Sequence, residues 1–240
     1  MISLSQISVV PIISECERQE ALQVLRATYE HEKGWVTDGD QVFSPDDLDR
    51  FGVAWFLARR GREPVGVLRV MFNPPLEVYA QYGFSPVPGG VKFDVTQFVK
   101  RSRVAEIGRF AVLPAHRKNH YIAAALMRAA ARDTLERGFT HYVTDIFEGE
   151  QHSPYLFHTR VMGFEPVATH DVGELNCSHR RITMVLDLQS AYLRLRRSGG
   201  WLFRYLTADW SEALHRRLAG EATVLREDIS VPHFAEAVLI

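Results

Sequence analysis

The sequence predicts an α/β domain with a mixed central sheet flanked by helices, followed by a C-terminal helical extension. Three observations carry that expectation. A strand-like run and a capped helix open the chain, and a hairpin follows them. A strand, a helix and another strand succeed one another over 104–147, which calls for parallel neighbours joined by a right-handed crossover. From residue 190 the apolar positions take a helical period. The division this implies is a domain of residues 1–189 and a helical extension of 190–240.

Each element has its own signal. Residues 4–13 (LSQISVVPII) are β-branched and apolar, and Ser14 with Glu17 forms a capping box for a helix running to Glu32. Leu22, Leu25 and Tyr29 recur at helical spacing and are read as core. Gly34 closes the helix, and 36–47 (VTDGDQVFSPDD) reads as an acidic loop. Strands at 51–59 and 64–72 form a hairpin around the turn RGRE. The stretch 73–99, dense in proline and glycine, reads as mostly loop, and a loop of that length is expected to be functional or to cover something. A strand at 104–112 leads through a basic turn into a helix over 120–137, stopped by Gly138. A strand at 139–147, a short helix at 153–162 ended by Gly163, and strands at 164–171 and 180–188 complete the domain. In the extension, Leu202, Tyr205, Leu206, Trp210, Leu214 and Leu218 approximate one helical face.

Composition narrows the functional classes. Of the 240 residues, 46% are hydrophobic and 24% charged, with a formal net charge of −1, as expected of an ordinary globular protein. A general nucleic-acid binder would carry a basic excess, so no nucleic-acid partner is expected. Cys16 and Cys177 stand far apart and outside any C-x-x-C pair, so neither a disulfide framework nor a metal site is expected. The first residues lack the pattern of a signal peptide, and no apolar run approaches the ~20 residues of a membrane span. A cytoplasmic location is the expectation.

The candidate site lies where the 104–112 strand gives way to its helix. His116, Arg117, Lys118 and His120 gather at a helix N-terminus, where unpaired backbone N–H groups and the helix dipole favour anions. On these residues alone the cluster reads equally as a pyrophosphate or phosphopantetheine site and as a solvated basic turn.

Resemblance tips that balance. VLPAHRKNHYIAAAL resembles the acyl-CoA-binding segment of the GNAT superfamily of N-acyltransferases, in which Val-x-Pro leads to Arg-x-x-Gly-x-Gly/Ala and a helix. Val112, Pro114 and Arg117 match, Ala123 takes the last small position with one residue inserted, and both glycines are replaced around His120–Tyr121. The segment HSPYLFHTRVMGFEPV resembles the superfamily's later helix and strand, with Thr159 beside His158 where a tyrosine acid often stands. Arg26, Tyr29, Trp35, the aspartates Asp38 and Asp40, VGVLRV with Gly66 and Arg69, and EIGRF with Glu106, Arg109 and Phe110 resemble the autoinducer synthases and their relatives, the long-chain N-acyl amino acid synthases. The matches cover roughly residues 20–170, while the acidic loop departs from the autoinducer synthases' pattern and speaks against homoserine-lactone formation.

The resemblance implies a GNAT-like fold and an N-acyltransferase. The co-substrate would be an acyl-CoA or the phosphopantetheine thioester of an acyl-carrier protein, and the acceptor a small-molecule amine such as an amino acid or biosynthetic intermediate. It implies donor contacts at Phe110, Ala111, Val112, Leu113, Arg117, Lys118, Asn119, His120, Tyr121 and Ala123, with strand-end amides stabilising the oxyanion. Aminolysis needs a base, for which Glu106 is the first candidate and Asp145 the second; Glu106 with Arg109 reads equally as a structural ion pair. Arg26, Trp35, Arg69 and His158 are the candidate substrate-binding residues, with ion pairing to the acidic loop, packing or helix capping as their structural alternatives. Lys92, Lys100, Arg101 and Arg103 are a candidate docking run for an acidic carrier protein. The extension could cover the cleft, pair with a second copy in a homodimer, or close a sheet edge. Two further readings stand beside this one: an acetyl-CoA-dependent N-acetyltransferase acting on a metabolite or protein amine, and a catalytically silent GNAT-like binding module.

Overall fold

A computed structural model describes residues 7–36, 48, 50–76, 84–89, 92–150, 152–171, 173 and 175–220. Most of the acidic loop, including Asp38 and Asp40, and the end of the chain after residue 220 fall outside the described residues.

The described strands form one mixed sheet: β1 (Ile7–Pro11), β2 (Val53–Arg60), β3 (Glu63–Phe72), β4 (Val104–Val112), β5 (His141–Phe147), β6 (Glu165–His170) and β7 (Arg181–Asp187). Their spatial order is β1-β2-β3-β4-β5-β7-β6, antiparallel throughout except for β4 and β5, the two strands joined by a crossover helix. Helix α1 (Glu15–Leu25) begins at the expected capping box, Ser14 accepting from Glu17 N–H while the Glu17 carboxylate accepts from Ser14 N–H. It continues as a π-helical stretch, Arg26–Glu32. The crossover is α3 (His120–Glu136), ended by Gly138 at φ +77°.

Two hydrophobic layers hold the sheet. On one face Ala21, Leu22, Val24 and Leu25 of α1 pack on Trp55, Leu57, Val67 and Ala111. On the other, Ile122, Leu126, Met127 and Ala130 of α3 pack on Phe56, Leu68, Val70 and Ile107. β2 and β3 are thus covered on both sides, which is why their sequences run apolar without clean alternation. Gly66 lets α3 come close: a Cβ there would lie 3.1 Å from the Ala111 carbonyl and 3.2 Å from Ile122.

Two local expectations differ from the structure. Within the 73–99 stretch a helix forms, α2 (Val95–Arg101), because Asp94 caps it by accepting from Gln97 N–H. The single helical face read over 202–218 is distributed over α5 (Trp201–Thr207) and α6 (Glu212–Ala219), since Ser211 caps a new helix through Leu214 N–H. With α4 (Leu188–Ser198) these helices lay Leu188, Tyr192, Leu206, Leu214 and Leu218 into the same cluster as α3 and the sheet. Arg128 and Arg132 of α3 grip Asp209 between them and fix that packing.

Replacing Gly66 with Val should lower unfolding free energy by about 1–3 kcal/mol, because the added methyls must push α3 off the sheet. Urea unfolding checks it; a wild-type midpoint would show that the approach of α3 is not tight.

Candidate active site

The site originates in a seam of the sheet. β4 and β5 are paired only from Val104–His141 to Glu106–Val143, although both strands run on to Val112 and Phe147. Each strand is held by its outer neighbour instead: β4 by β3 up to the Val112–Gly66 pair, and β5 by β7 along its whole length. A bulge bends β4 away. Val67 pairs with Ala111 and Arg69 with Gly108, so Leu68 faces both Arg109 and Phe110, and Arg109 takes φ +48°. Such a bulge leaves its extra residue outside the ladder and increases local twist.

A cavity of about 450 Å³ fills the opening, walled by residues 107–112 of β4 and 144–147 of β5. It reaches Arg117, Asn119, His120 and Ala123 where α3 begins. A second cavity of about 220 Å³, reached by Arg50, Arg69, Glu106 and Arg181, adjoins it. Tyr29, Ile107, Gly108, Arg109, Asp145 and Phe147 border both. The two cavities therefore share a common wall.

The structure distributes the sequence candidates as follows. Phe110, Ala111 and Val112 line the larger cavity, whereas the Leu113 N–H donates to the Val65 carbonyl at 3.0 Å and is already engaged. Arg117 lines it as well, donating from Nε to the Val112 carbonyl at 3.0 Å. Asn119 caps α3, its Oδ1 accepting from Tyr121 N–H, while its Nδ2 is buried without a hydrogen-bond partner among the described residues. Asn119 lines the cavity, and an unsatisfied donor of this kind fits a phosphate or pantetheine oxygen. Lys118 is exposed and Tyr121 packs against Trp201 at 5.4 Å; neither lines the cavity.

Glu106 and Arg69 both border the smaller cavity, and both are buried. The structure pairs Glu106 with Arg69, Nη2 to Oε1 at 2.7 Å, rather than with Arg109. Glu106 and Arg69 lie on adjacent paired strands, whereas the bulge at Arg109–Phe110 breaks the alternation of β4 and places Arg109 by Tyr29. Gly108 makes room for this pair, since a Cβ there would come within 2.7 Å of Oε1 and 3.0 Å of Nη2. Asp145 sits on the wall common to both cavities, its Oδ1 accepting from Thr183 Oγ1 at 2.6 Å and its Oδ2 lying 3.1 Å from His170 Nε2. Arg109 stands near the Tyr29 ring, 6.0 Å from its centroid.

Among the candidate substrate-binding residues, Trp35 lines the larger cavity against Phe147 at 4.3 Å, and Arg26 borders neither cavity. His158 lines it from within the core: 1% exposed, it packs on Phe164 and makes its 3.0 Å contact through Nδ1 to the Pro154 carbonyl. Burial pushes its pKa down to about 4, so it is neutral at pH 7. Thr159 turns its hydroxyl back to the Tyr155 carbonyl of its own turn. Lys100, Arg101 and Arg103 stand at the start of β4, the end remote from Arg117, and Arg103 lies over the Phe139 ring. They do not border the groove.

Sequence reasoning missed His170 and the pair Lys33–Glu150. Tyr29, expected in the core from its spacing and named also in the family pattern, packs against the α1 layer and at the same time lines the cavity from the π-helical stretch, its hydroxyl 3.4 Å from the Phe110 carbonyl. His170 carries no local signal; it meets Asp145 only because β7 brings β6 and β5 together.

These features agree with the comparisons. Residues 18–164 match the family model described as Acetyltransferase (GNAT) family, and the chain belongs to that family. No curated protein matches the chain. Among solved structures it is similar to FeeM, an N-acyl amino acid synthase from uncultured soil microbes, at TM-score 0.60 and 16% identity, covering 83% of this chain and 97% of that one. It is also similar to an aminoglycoside 6'-acetyltransferase type Ii (TM-score 0.52, 15% identity, 75% and 97% covered). Arabidopsis thaliana NAA60 in complex with acetyl-CoA matches at TM-score 0.52 and 13% identity, with 75% and 98% covered. These likenesses establish the fold, and with the family they make the protein an acyltransferase.

The buried His158 sets a pH dependence. Its pKa falls from 6.5 to about 4 on folding, so between those values the unfolded chain binds a proton that the native one refuses. Stability is retained above pH 6.5 and lost as pH falls toward 4, by about 3 kcal/mol in total from this group. Denaturant titrations from pH 7 to 4 should show that loss, and His158→Gln should flatten it; an equal slope in the variant would assign the loss elsewhere.

Proposed function

We propose that this protein is an N-acyltransferase that moves an acyl group from a pantetheine thioester, of CoA or of an acyl-carrier protein, to the amine of a small molecule bearing a carboxylate, such as an amino acid. The observation that carries this reading is the common wall between the two cavities, where Asp145 and the bulged strand face both. A thioester laid along β4 would bring its carbonyl to the Arg109–Phe110 bulge, with Arg117 and Asn119 Nδ2 toward its phosphate end. The carboxylate preference is supported by the cations around the smaller cavity. Among the described residues Arg50, Arg69, Arg109 and Arg181 outnumber Glu106 and Asp145 there. Arg181 donates to the carbonyls of Asp171 and Leu175, Arg69 donates to Glu106, and Arg50 and Arg109 also line this cavity, where they add positive charge for an acceptor anion.

In this reaction the acceptor ammonium gives a proton to a carboxylate, its nitrogen attacks the thioester carbon, the C–S bond breaks, and the thiolate leaves and takes up a proton. Of the two candidate bases, Asp145 borders both cavities, whereas Glu106 borders only the smaller one. We assign proton acceptance to Asp145 and orientation of the amine to the Glu106–Arg69 pair. FeeM, whose name describes an N-acyl amino acid synthase, supports the choice of acceptor by likeness of fold alone.

A saturating donor should raise the melting temperature, because it binds only the folded state. Acetyl-CoA, long-chain acyl-CoA and acyl-carrier protein, compared in the same assay, separate the donor classes; no shift with any of them sinks the acyltransfer reading and favours a silent binding module. In steady-state kinetics Asp145→Asn should lower kcat about 10²–10⁴-fold, with partial recovery as pH rises. Glu106→Gln should act chiefly on the KM of the amine. The reverse pattern would return the base to Glu106.

A further inference from the structure

Two consecutive side chains at the end of the π-helical stretch reach opposite lips of the groove. Glu32 meets both terminal nitrogens of Arg117, on the β4 side. Lys33 pairs with Glu150, beyond the end of β5. Residues 32 and 33 thus bridge the seam at the end where β4 and β5 have separated.

The Glu32 contact bears on what Arg117 can do. Arg117 is a cation lining the larger cavity at the start of α3, and it presents its planar fork to a carboxylate in the two-armed manner it would use for a phosphate. Both side chains are partly exposed, 21% for Arg117 and 27% for Glu32, so a donor arriving at this end meets a neutralised pair. Among the described residues, the neighbouring lysines and arginines do not restore a strong positive field. Lys33 lies 3.9 Å from Glu32 but serves Glu150, which His179 also approaches at 3.7 Å, and His116 faces Glu63 at 3.1 Å. Lys118 is exposed and outside the cavity. The glycines that would let backbone amides substitute for side-chain charge are absent from residues 117–123.

We propose that Glu32 is a donor-specificity residue: by occupying Arg117 it weakens the groove's hold on donors that bring several phosphate charges, and so favours a phosphopantetheine carried as a phosphodiester over a nucleotide-bearing CoA thioester. This rests on the acyltransfer reading above. Glu32 takes no part in the chemistry; it sets the charge that the donor's phosphate end encounters.

Titration calorimetry with CoA and with pantetheine, which has no phosphate, tests the proposal on wild type, Glu32→Gln and the control Glu30→Gln, a nearby carboxylate that does not touch Arg117. Glu32→Gln should bind CoA about fivefold more tightly than wild type and with a steeper salt dependence, as expected for release of one opposing charge. Pantetheine affinity should be equal in all three, and Glu30→Gln should match wild type. CoA affinity unchanged or reduced in Glu32→Gln, or an equal gain in Glu30→Gln, overturns the role of Glu32 while leaving acyl transfer standing. If no variant binds CoA or pantetheine, the acyltransfer reading falls and this inference with it.

Discussion

The molecule is organised around an incomplete pairing. β4 and β5 share a ladder only as far as Glu106 and Val143, and beyond it each strand is retained by the sheet on its other side. An opening of this kind would ordinarily close, because unpaired backbone groups in a core are costly. Here it persists because β3 and β7 hold the two halves independently, and because the Leu68-to-Arg109–Phe110 bulge twists β4 out of register with β5. The groove, its common wall with the second cavity and the placement of Arg117 at its end all descend from that geometry.

Charge is arranged to suit the same opening. The buried Glu106–Arg69 pair costs desolvation of both groups, and such pairs are weak sources of stability although breaking one is expensive. This pair lies beside the smaller cavity, where the orienting role proposed for it would be exerted. Gly108 accommodates that pair at the position where a side chain would strike it, so EIGRF is a steric necessity as well as a motif. Asp145 is fixed differently, by a hydroxyl and an imidazole from β7 and β6, and is left facing both cavities.

Local signals carried far in this chain. The Ser14–Glu17 capping box, the Gly138 and Gly163 helix stops and the strand–helix–strand run over 104–147 all formed as their residue types dictate, because each depends on groups a few positions apart. Where local reading failed, a competing local term was overlooked. Proline and glycine around 73–90 obscured the Asp94 cap of α2, and Ser211 interrupts what reads as one helical face.

By itself, then, the sequence determined the order of elements, the start of α3 with Arg117 before it, and the family resemblance that these share with EIGRF and the Gly163-Phe164 turn. Only the tertiary structure decided which charges meet. Glu106 finds Arg69 across 37 residues, Asp145 finds His170 across 25, and Arg117 finds Glu32 across 85. The reason is physical: a cap or a turn is settled by neighbours along the chain, whereas a partner in a sheet is settled by strand order and register, which arise from the packing of the whole core.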